Sequence, residues 1–179
     1  MLHSEINDGV ATVTIDNPPH NILTCTVLES LRASLAALAR EPALRVLVLR
    51  AGGDNFSAGA DVEEHLPPTY EHMIPEFIAT VVAVREFPVP VIAAVQGKCL
   101  GGGFEIVQPC DLIIATDDAV FGQPEIRLGV MAPAACVLLP RAIGWTRAAE
   151  LLFTGDTIGA VDAYRVGLLN AVVSADELG

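Results

Sequence analysis

The chain has 179 residues, of which 52% are apolar and 18% charged, and ten basic residues against twenty-two acidic ones give a formal charge of −12. A chain of this length is expected to be one domain, residues 1–179, burying ~70% of its unfolded surface without needing disulfides or metals, and its composition excludes disorder. The negative charge argues against a nucleic-acid partner; no apolar run nears the ~18 residues of a membrane span; and Met1–Glu5 lacks the regions of an export signal, so a cytoplasmic location is expected.

In chain order, Ser4–Asn7 and Val10–Ile15 flank Asp8-Gly9, and the second run alternates Val10, Thr12 and Thr14 with Ala11, Val13 and Ile15. Asp-Gly supplies the positive φ angles of a tight primed turn, so a hairpin is predicted. Asn17-Pro18-Pro19 ends the strand. Thr24 can then cap a helix whose apolar positions Val27, Leu28, Leu31, Leu35 and Leu38 follow helical spacing up to Pro42. Arg45–Arg50 reads as a buried strand running into the turn Ala51–Asn55. After Pro67-Pro68 a helix is predicted over about Tyr70 to Glu86, then a strand over Val91–Val95.

Gly97 and Gly101-Gly102-Gly103 follow, with a short helix ending before Asp111. Leu112–Ala115 is a third buried strand and Ala119–Phe121 a short fourth. Apolar residues fill Pro133–Ile143, Gly144 is a helix stop, and Thr146–Phe153 a further helix. Short buried strands alternating with helices argue an α/β architecture. At the end, Asp176 opens a helix with too few residues to nucleate, so the chain is expected to be a piece of a longer protein. The cysteines (Cys25, Cys99, Cys110, Cys136) lack paired spacing and lie among apolar residues, which suggests buried reduced thiols. His3, His20, His65 and His72 form no His-x-x-x-His pair, and no metal site is expected.

Three segments can carry chemistry. In Phe56-Ser57-Ala58-Gly59-Ala60-Asp61, Gly59 allows a sharp turn and the flanking alanines leave the backbone approachable. Asp61, with Glu64 three residues on, would cap a short helix, leaving the Ala60 amide just before the cap. In Gly101-Gly102-Gly103-Phe104-Glu105, glycines at a helix start leave bare N–H donors at the positive end of its dipole. This run lacks the Gly-Lys-Ser/Thr ending of a phosphate loop and the dinucleotide spacing. Glu105 would share a face with the Gly102 amide. In Phe121-Gly122-Gln123-Pro124-Glu125-Ile126, Glu125 sits in a proline-stiffened turn between apolar neighbours. Taken singly, these segments also fit a plain strand-to-helix connection, a helix cap and a surface turn. Together they offer two backbone donors and two carboxylates, 20 residues apart.

With these motifs in this order, the chain resembles the crotonase superfamily of enoyl-CoA hydratases and isomerases from about Leu2 to Leu178. Pro90–Gly97, Cys110-Asp111, Thr154-Gly155-Asp156 and Gly167–Asn170 complete the pattern. The resemblance implies a ββα spiral that binds acyl-CoA thioesters. It places the thioester oxygen between the amides of Ala60 and Gly102 and sets Glu105 and Glu125 on one water. The substrate would also meet Ala58, Gly59, Asp61, Val62, Gly101, Gly103 and Pro133. No cofactor is implied, coenzyme A being part of the substrate. A homotrimer or hexamer is implied for full-length relatives, whose C-terminal helical trimerisation region is missing here.

Glu64–Pro68 and Gly129–Ala135 with Leu138–Arg141 further resemble the cyclic dienoyl-CoA hydratases of anaerobic aromatic degradation. The commoner pattern after the second glutamate is glycine-rich, whereas alanines and Pro133 stand here. The expected activity is therefore hydration of a conjugated enoyl- or cyclic dienoyl-CoA, a carbon–oxygen lyase reaction belonging to fatty-acid or aromatic-compound metabolism. The alternatives are double-bond isomerisation and a catalytically silent acyl-CoA-binding module.

Overall fold

The computed structural model describes residues 1–178. Its strands are β1 (Leu2–Asn7), β2 (Val10–Ile15), β3 (Val46–Ala51), β4 (Val91–Val95), β5 (Lys98–Leu100), β6 (Leu112–Thr116), β7 (Val120–Gly122), β8 (Thr157–Gly159) and β9 (Ala171–Val173). Its helices are α1 (Cys25–Leu38), α2 (Tyr70–Arg85), α3 (Gly102–Val107), α4 (Ala135–Ile143), α5 (Trp145–Thr154), α6 (Ala160–Arg165) and α7 (Ala175–Leu178), with 3-10 turns at Glu63–His65 and Pro124–Leu128.

The Asp8-Gly9 turn joins β1 and β2 as the antiparallel hairpin its chemistry demands, with positive φ at both residues. From β2 onward the main sheet is parallel, in the order β1-β2-β3-β4-β6-β9. The register aligns Val13, Leu49, Ala93 and Ile113 as one buried row across four strands. Such a row explains why these strands read as apolar runs: a parallel sheet carries helices over its surface and has little water to face. In α1, Thr24 accepts from the Val27 amide at 3.3 Å, and the five apolar positions named above are all buried. α1 lies against α2, where Arg32 holds the nearly buried Glu76 carboxylate by two bonds of 2.5 and 3.0 Å.

A second sheet, β5-β7-β8, is built from three-residue strands, two of which (β5 and β8) were not legible in the sequence. The chain visits both sheets in turn: β4 then β5, β6 then β7, and β8 before β9. A parallel bridge from Ser57 to Cys99 extends the small sheet back to the segment after β3. Two circuits, β4-β5 before α3 and β6-β7 before α4, lay one strand in each sheet before a helix, and in the last α6 stands between β8 and β9.

The final residues differ from the sequence expectation. Ala175–Leu178 forms one helical turn, capped by Ser174 rather than opened by Asp176: the Ser174 hydroxyl and amide both bond Glu177 Oε2, at 2.7 and 3.0 Å.

Asn21 ties the turns after β2 and β3 together. It is 2% exposed with φ 50°, a left-handed conformation that asparagine tolerates. Its Oδ1 accepts from the Asn17 amide, its Nδ2 donates to the Gly52 and Asn55 carbonyls, all at 2.8 Å, and its own carbonyl accepts from the Ser57 hydroxyl at 2.7 Å. Asn21→Ala leaves two carbonyls and an amide without partners. It is expected to cost about 2–3 kcal/mol, read as a lower urea midpoint at unchanged slope.

Candidate active site

Phe56–Asp61, Gly101–Glu105 and Gln123–Glu125 are far apart in sequence, and the small sheet places them side by side. Ser57 bridges Cys99, and Cys99 is in register with Phe121, so the three segments leave neighbouring strands in the same direction. Backbone bonds continue the alignment: Leu100 N donates to Ser57 O at 3.0 Å, and Gly101 N to Gly122 O at 2.9 Å.

The contact between the first two loops is close enough to require glycine. A Cβ on Gly102 would lie 2.9 Å from Ala60 Cβ and 3.0 Å from Ala60 N. Leu23 takes the bonds on either side of Ala60, with its amide donating to Gly59 O and its carbonyl accepting from Asp61 N. The Ala60 amide is bypassed. Gly102 opens α3, where the first amides have no carbonyl one turn back. Among the described residues neither N–H has a protein acceptor, so two adjacent loops each present one donor. Gly101 adds a second constraint: its φ is 51°, and a Cβ there would stand 2.8 Å from Glu125 Oε1. The Glu125 carboxylate therefore lies against the start of α3.

Glu105 points into the protein and is 3% exposed. Its Oε1 accepts from the Ala134 and Ala135 amides at 2.8 and 2.9 Å, the N-terminus of α4. Burial nevertheless dominates and pushes its carboxyl up to about 7, with the nearby Glu125 charge pushing the same way and the two amides opposing it. Glu125 is half-buried, and burial raises its carboxyl too, opposed by its own backbone and by His65. Cys136, on the first turn of α4, completes the surroundings: burial and both glutamates raise its thiol. Glu105, buried and beside a second carboxylate, is thereby held toward its protonated form.

The other anticipated residues divide. Gly59 and Gly103 pack into the loop contacts: the Gly59 Cα lies 3.8 Å from where a Gly101 Cβ would stand, and a Gly103 Cβ would meet Ser57 at 2.5 Å. The Ala58 amide donates to His20 O at 2.9 Å. Val62 and Pro133 are exposed, the latter one residue before the amides that hold Glu105. Asp61 does cap the 3-10 turn, accepting from Glu63 N and Glu64 N at 2.8 and 3.1 Å. The reciprocal half of that cap is corrected: Glu64 reaches across to the Cys25 amide at 2.6 Å. The cysteine reading is corrected as well, since only Cys99 is fully buried.

Sequence reasoning missed the partners of the glutamates. Gln123, 1% exposed, has one end of its amide 3.0 and 3.2 Å from the two Glu125 oxygens and the other 2.8 Å from Gln108 Nε2, and its neighbours assign the nitrogen to the Glu125 end. A glutamine between Gly122 and Pro124, two residues past the short strand predicted over Ala119–Phe121, was the available signal. The Ala134 and Ala135 amides could have been found as the N-terminus of an apolar helix with no acidic residue of its own in its first turn.

Comparison with known proteins bears on the family and the fold. Residues 5–179 match the family model described as enoyl-CoA hydratase/isomerase. A cyclohexa-1,5-dienecarbonyl-CoA hydratase of Thauera aromatica is 38% identical over 173 residues, covering 97% of this chain and 67% of that protein. A probable enoyl-CoA hydratase of Mycobacterium bovis is 37% identical over 177 residues, covering 97% and 69%. The crystal structure of an enoyl-CoA hydratase from Bacillus anthracis superposes with a TM-score of 0.95 at 33% identity, over 99% of this chain and 71% of that one. The mixed α/β architecture is thus the crotonase fold, and the chain belongs to the enoyl-CoA hydratase/isomerase family.

Proposed function

We propose that the protein hydrates a conjugated enoyl-CoA thioester, a cyclic dienoyl-CoA before a straight-chain one. The supporting observation is the convergence of two unpartnered amides, Ala60 and Gly102, with two carboxyls, Glu105 and Glu125, on adjacent loops. Attack of water on the β-carbon forms a C–O bond and drives the π electrons onto the thioester oxygen. The two N–H groups meet that developing charge, each donor being worth roughly 10²–10³ in rate. The ionised carboxyl takes a proton from the water. The protonated one delivers a proton to the α-carbon, which restores the thioester, and transfer between the two resets the pair. One molecule of water is consumed and nothing is oxidised.

A single carboxyl suffices to carry a proton between two carbons, so the second one favours hydration over isomerisation. For the acyl group, the amides that hold Glu105 belong to alanines that follow Pro133, where the family resemblance makes glycines the commoner pattern, and the Thauera aromatica relative is named for a cyclic diene. Coenzyme A enters as part of the substrate and no further cofactor is required.

The test incubates the protein separately with crotonyl-CoA and cyclohexa-1,5-diene-1-carboxyl-CoA and follows products by liquid chromatography and mass. Hydration yields a product heavier by one water, faster with the cyclic diene. A product of unchanged mass and new retention indicates isomerisation, and unchanged substrate indicates a binding module; either overturns the proposal. Faster hydration of crotonyl-CoA overturns only the acyl preference.

A further inference from the structure

Gln108 caps the C-terminal end of α3, three residues beyond Glu105, and reaches the other glutamate through a neighbour. Its Nε2 lies 2.8 Å from one end of the Gln123 amide, whose other end lies 3.0 and 3.2 Å from the two Glu125 oxygens; assigned from these neighbours, the amide turns its oxygen to Gln108 and its nitrogen to Glu125. Gln123 is buried, so water cannot take over either bond. An amide has two ends of opposite character, and a row of amides therefore has a direction. Reversing Gln123 alone would set its oxygen against the Glu125 carboxylate and its nitrogen against the Gln108 nitrogen, two repulsive contacts. Reversing both glutamines would suit a protonated Glu125. That arrangement, however, would move the Gln108 NH₂, with two donors, to the place where its oxygen is now buried without a hydrogen-bond partner. An orphaned pair of donors costs more than an under-satisfied carbonyl. One direction is favoured.

We propose that Gln108 is a positioning residue for Glu125: by donating to the Gln123 oxygen it fixes that amide with its nitrogen toward Glu125 and so favours Glu125 as the ionised member of the pair. This deepens the hydratase reading and rests on it for its catalytic meaning. The other groups facing Glu125 are Glu105 from α3, His65 from the 3-10 turn and Cys136 from α4, and none of them bonds to the glutamine row. Neither Gln108 nor its effect was anticipated among the candidate residues.

The experiment titrates Glu125 directly, in the full chain labelled with ¹³C-carboxyl glutamate, its resonance assigned from the spectrum of Glu125→Gln. Gln108→Met is expected to raise the Glu125 midpoint by about one pH unit, a tenfold gain in proton affinity. In a Gln123→Met background the same substitution should shift nothing, because the amide through which it acts is gone. Gln108→Glu, whose carboxylate accepts from the Gln123 nitrogen and turns that amide around, should raise the midpoint further; it also serves if Gln108→Met does not fold. An unmoved midpoint in both Gln108 variants, or an equal shift with and without Gln123, overturns the proposal. Because titration needs no turnover, a Glu125→Gln variant with undiminished hydration would sink the catalytic reading and leave this result standing.

Discussion

Replacing either glutamate by glutamine is expected to lower kcat for hydration at least a hundredfold, with KM for the CoA ester changed only a few-fold. Each positioned acid or base typically contributes about 10²–10⁴, and an amide can neither accept the proton of the attacking water nor deliver one to carbon. The substitutions are close to isosteric. In Glu105→Gln the side-chain oxygen still accepts from the Ala134 and Ala135 amides, so α4 keeps its anchor.

A stability measurement separates lost chemistry from lost structure. Burial raises the Glu105 carboxyl from 4.5 to about 7. The folded protein therefore binds this proton more tightly than the unfolded chain does. That contribution is complete below about 4.5 and disappears as pH rises through about 7. Glutamine carries no such proton, so Glu105→Gln should lose less stability than the parent between pH 5 and pH 8 in urea unfolding. Full turnover in either glutamine variant would refute the paired-carboxyl role. A variant inactive because it is unfolded would reveal itself in the same titration.

Gly102→Ala is expected to reduce kcat by roughly 10²–10³, equivalent to ~3 kcal/mol of transition-state stabilisation. The added methyl would sit 2.9 Å from Ala60 Cβ, shorter than real contacts allow, and 3.0 Å from both Ala60 N and Phe77 Cε2, tighter than most. Something must give, and the lightest part to move is the Ala60 loop, which carries one of the two donors. Gly102 has no positive φ, and alanine is a good helix former at the start of α3, so the backbone itself tolerates the change. The loss should fall on kcat, with modest destabilisation, and a transition-state-like enolate analogue should lose affinity in parallel. An alanine variant of normal kcat would show that the gap between these loops holds no reacting oxygen.

Much of the architecture was readable because local chemistry and burial agree along the chain. Asp8-Gly9 has one good conformation between two alternating runs, and a hairpin follows. Val91–Val95 is apolar on both faces, too short for a helix, and forms the strand anticipated for it. Gly144 stops α4 because it takes a φ of 78° that few other residues accept. β5 and β8 escaped notice for the converse reason. Three residues carry no periodicity, and Lys98-Cys99-Leu100 becomes a strand only because Phe121 and its neighbours are there to pair with it.

The candidate site divides along the same line. The types and order of its members were set by the primary structure: a Gly-Gly-Gly helix start with Glu105 on its first turn, a small-residue loop around Ala60, and Glu125 behind a proline. Bonds of short sequence range, such as Asp61 on the amides of Glu63 and Glu64, follow from spacing alone. Tertiary structure alone decided which groups became neighbours. The Ala60 loop meets Gly102 because the small sheet aligns Ser57, Cys99 and Phe121. Glu105 is held by amides 29 and 30 residues downstream, and the row from Gln108 to Glu125 joins two turns of the spiral. Spacing cannot forecast these contacts: long-range pairing depends on how whole sheets register, and the proton affinity of a carboxyl depends on the burial and the charges that this pairing creates.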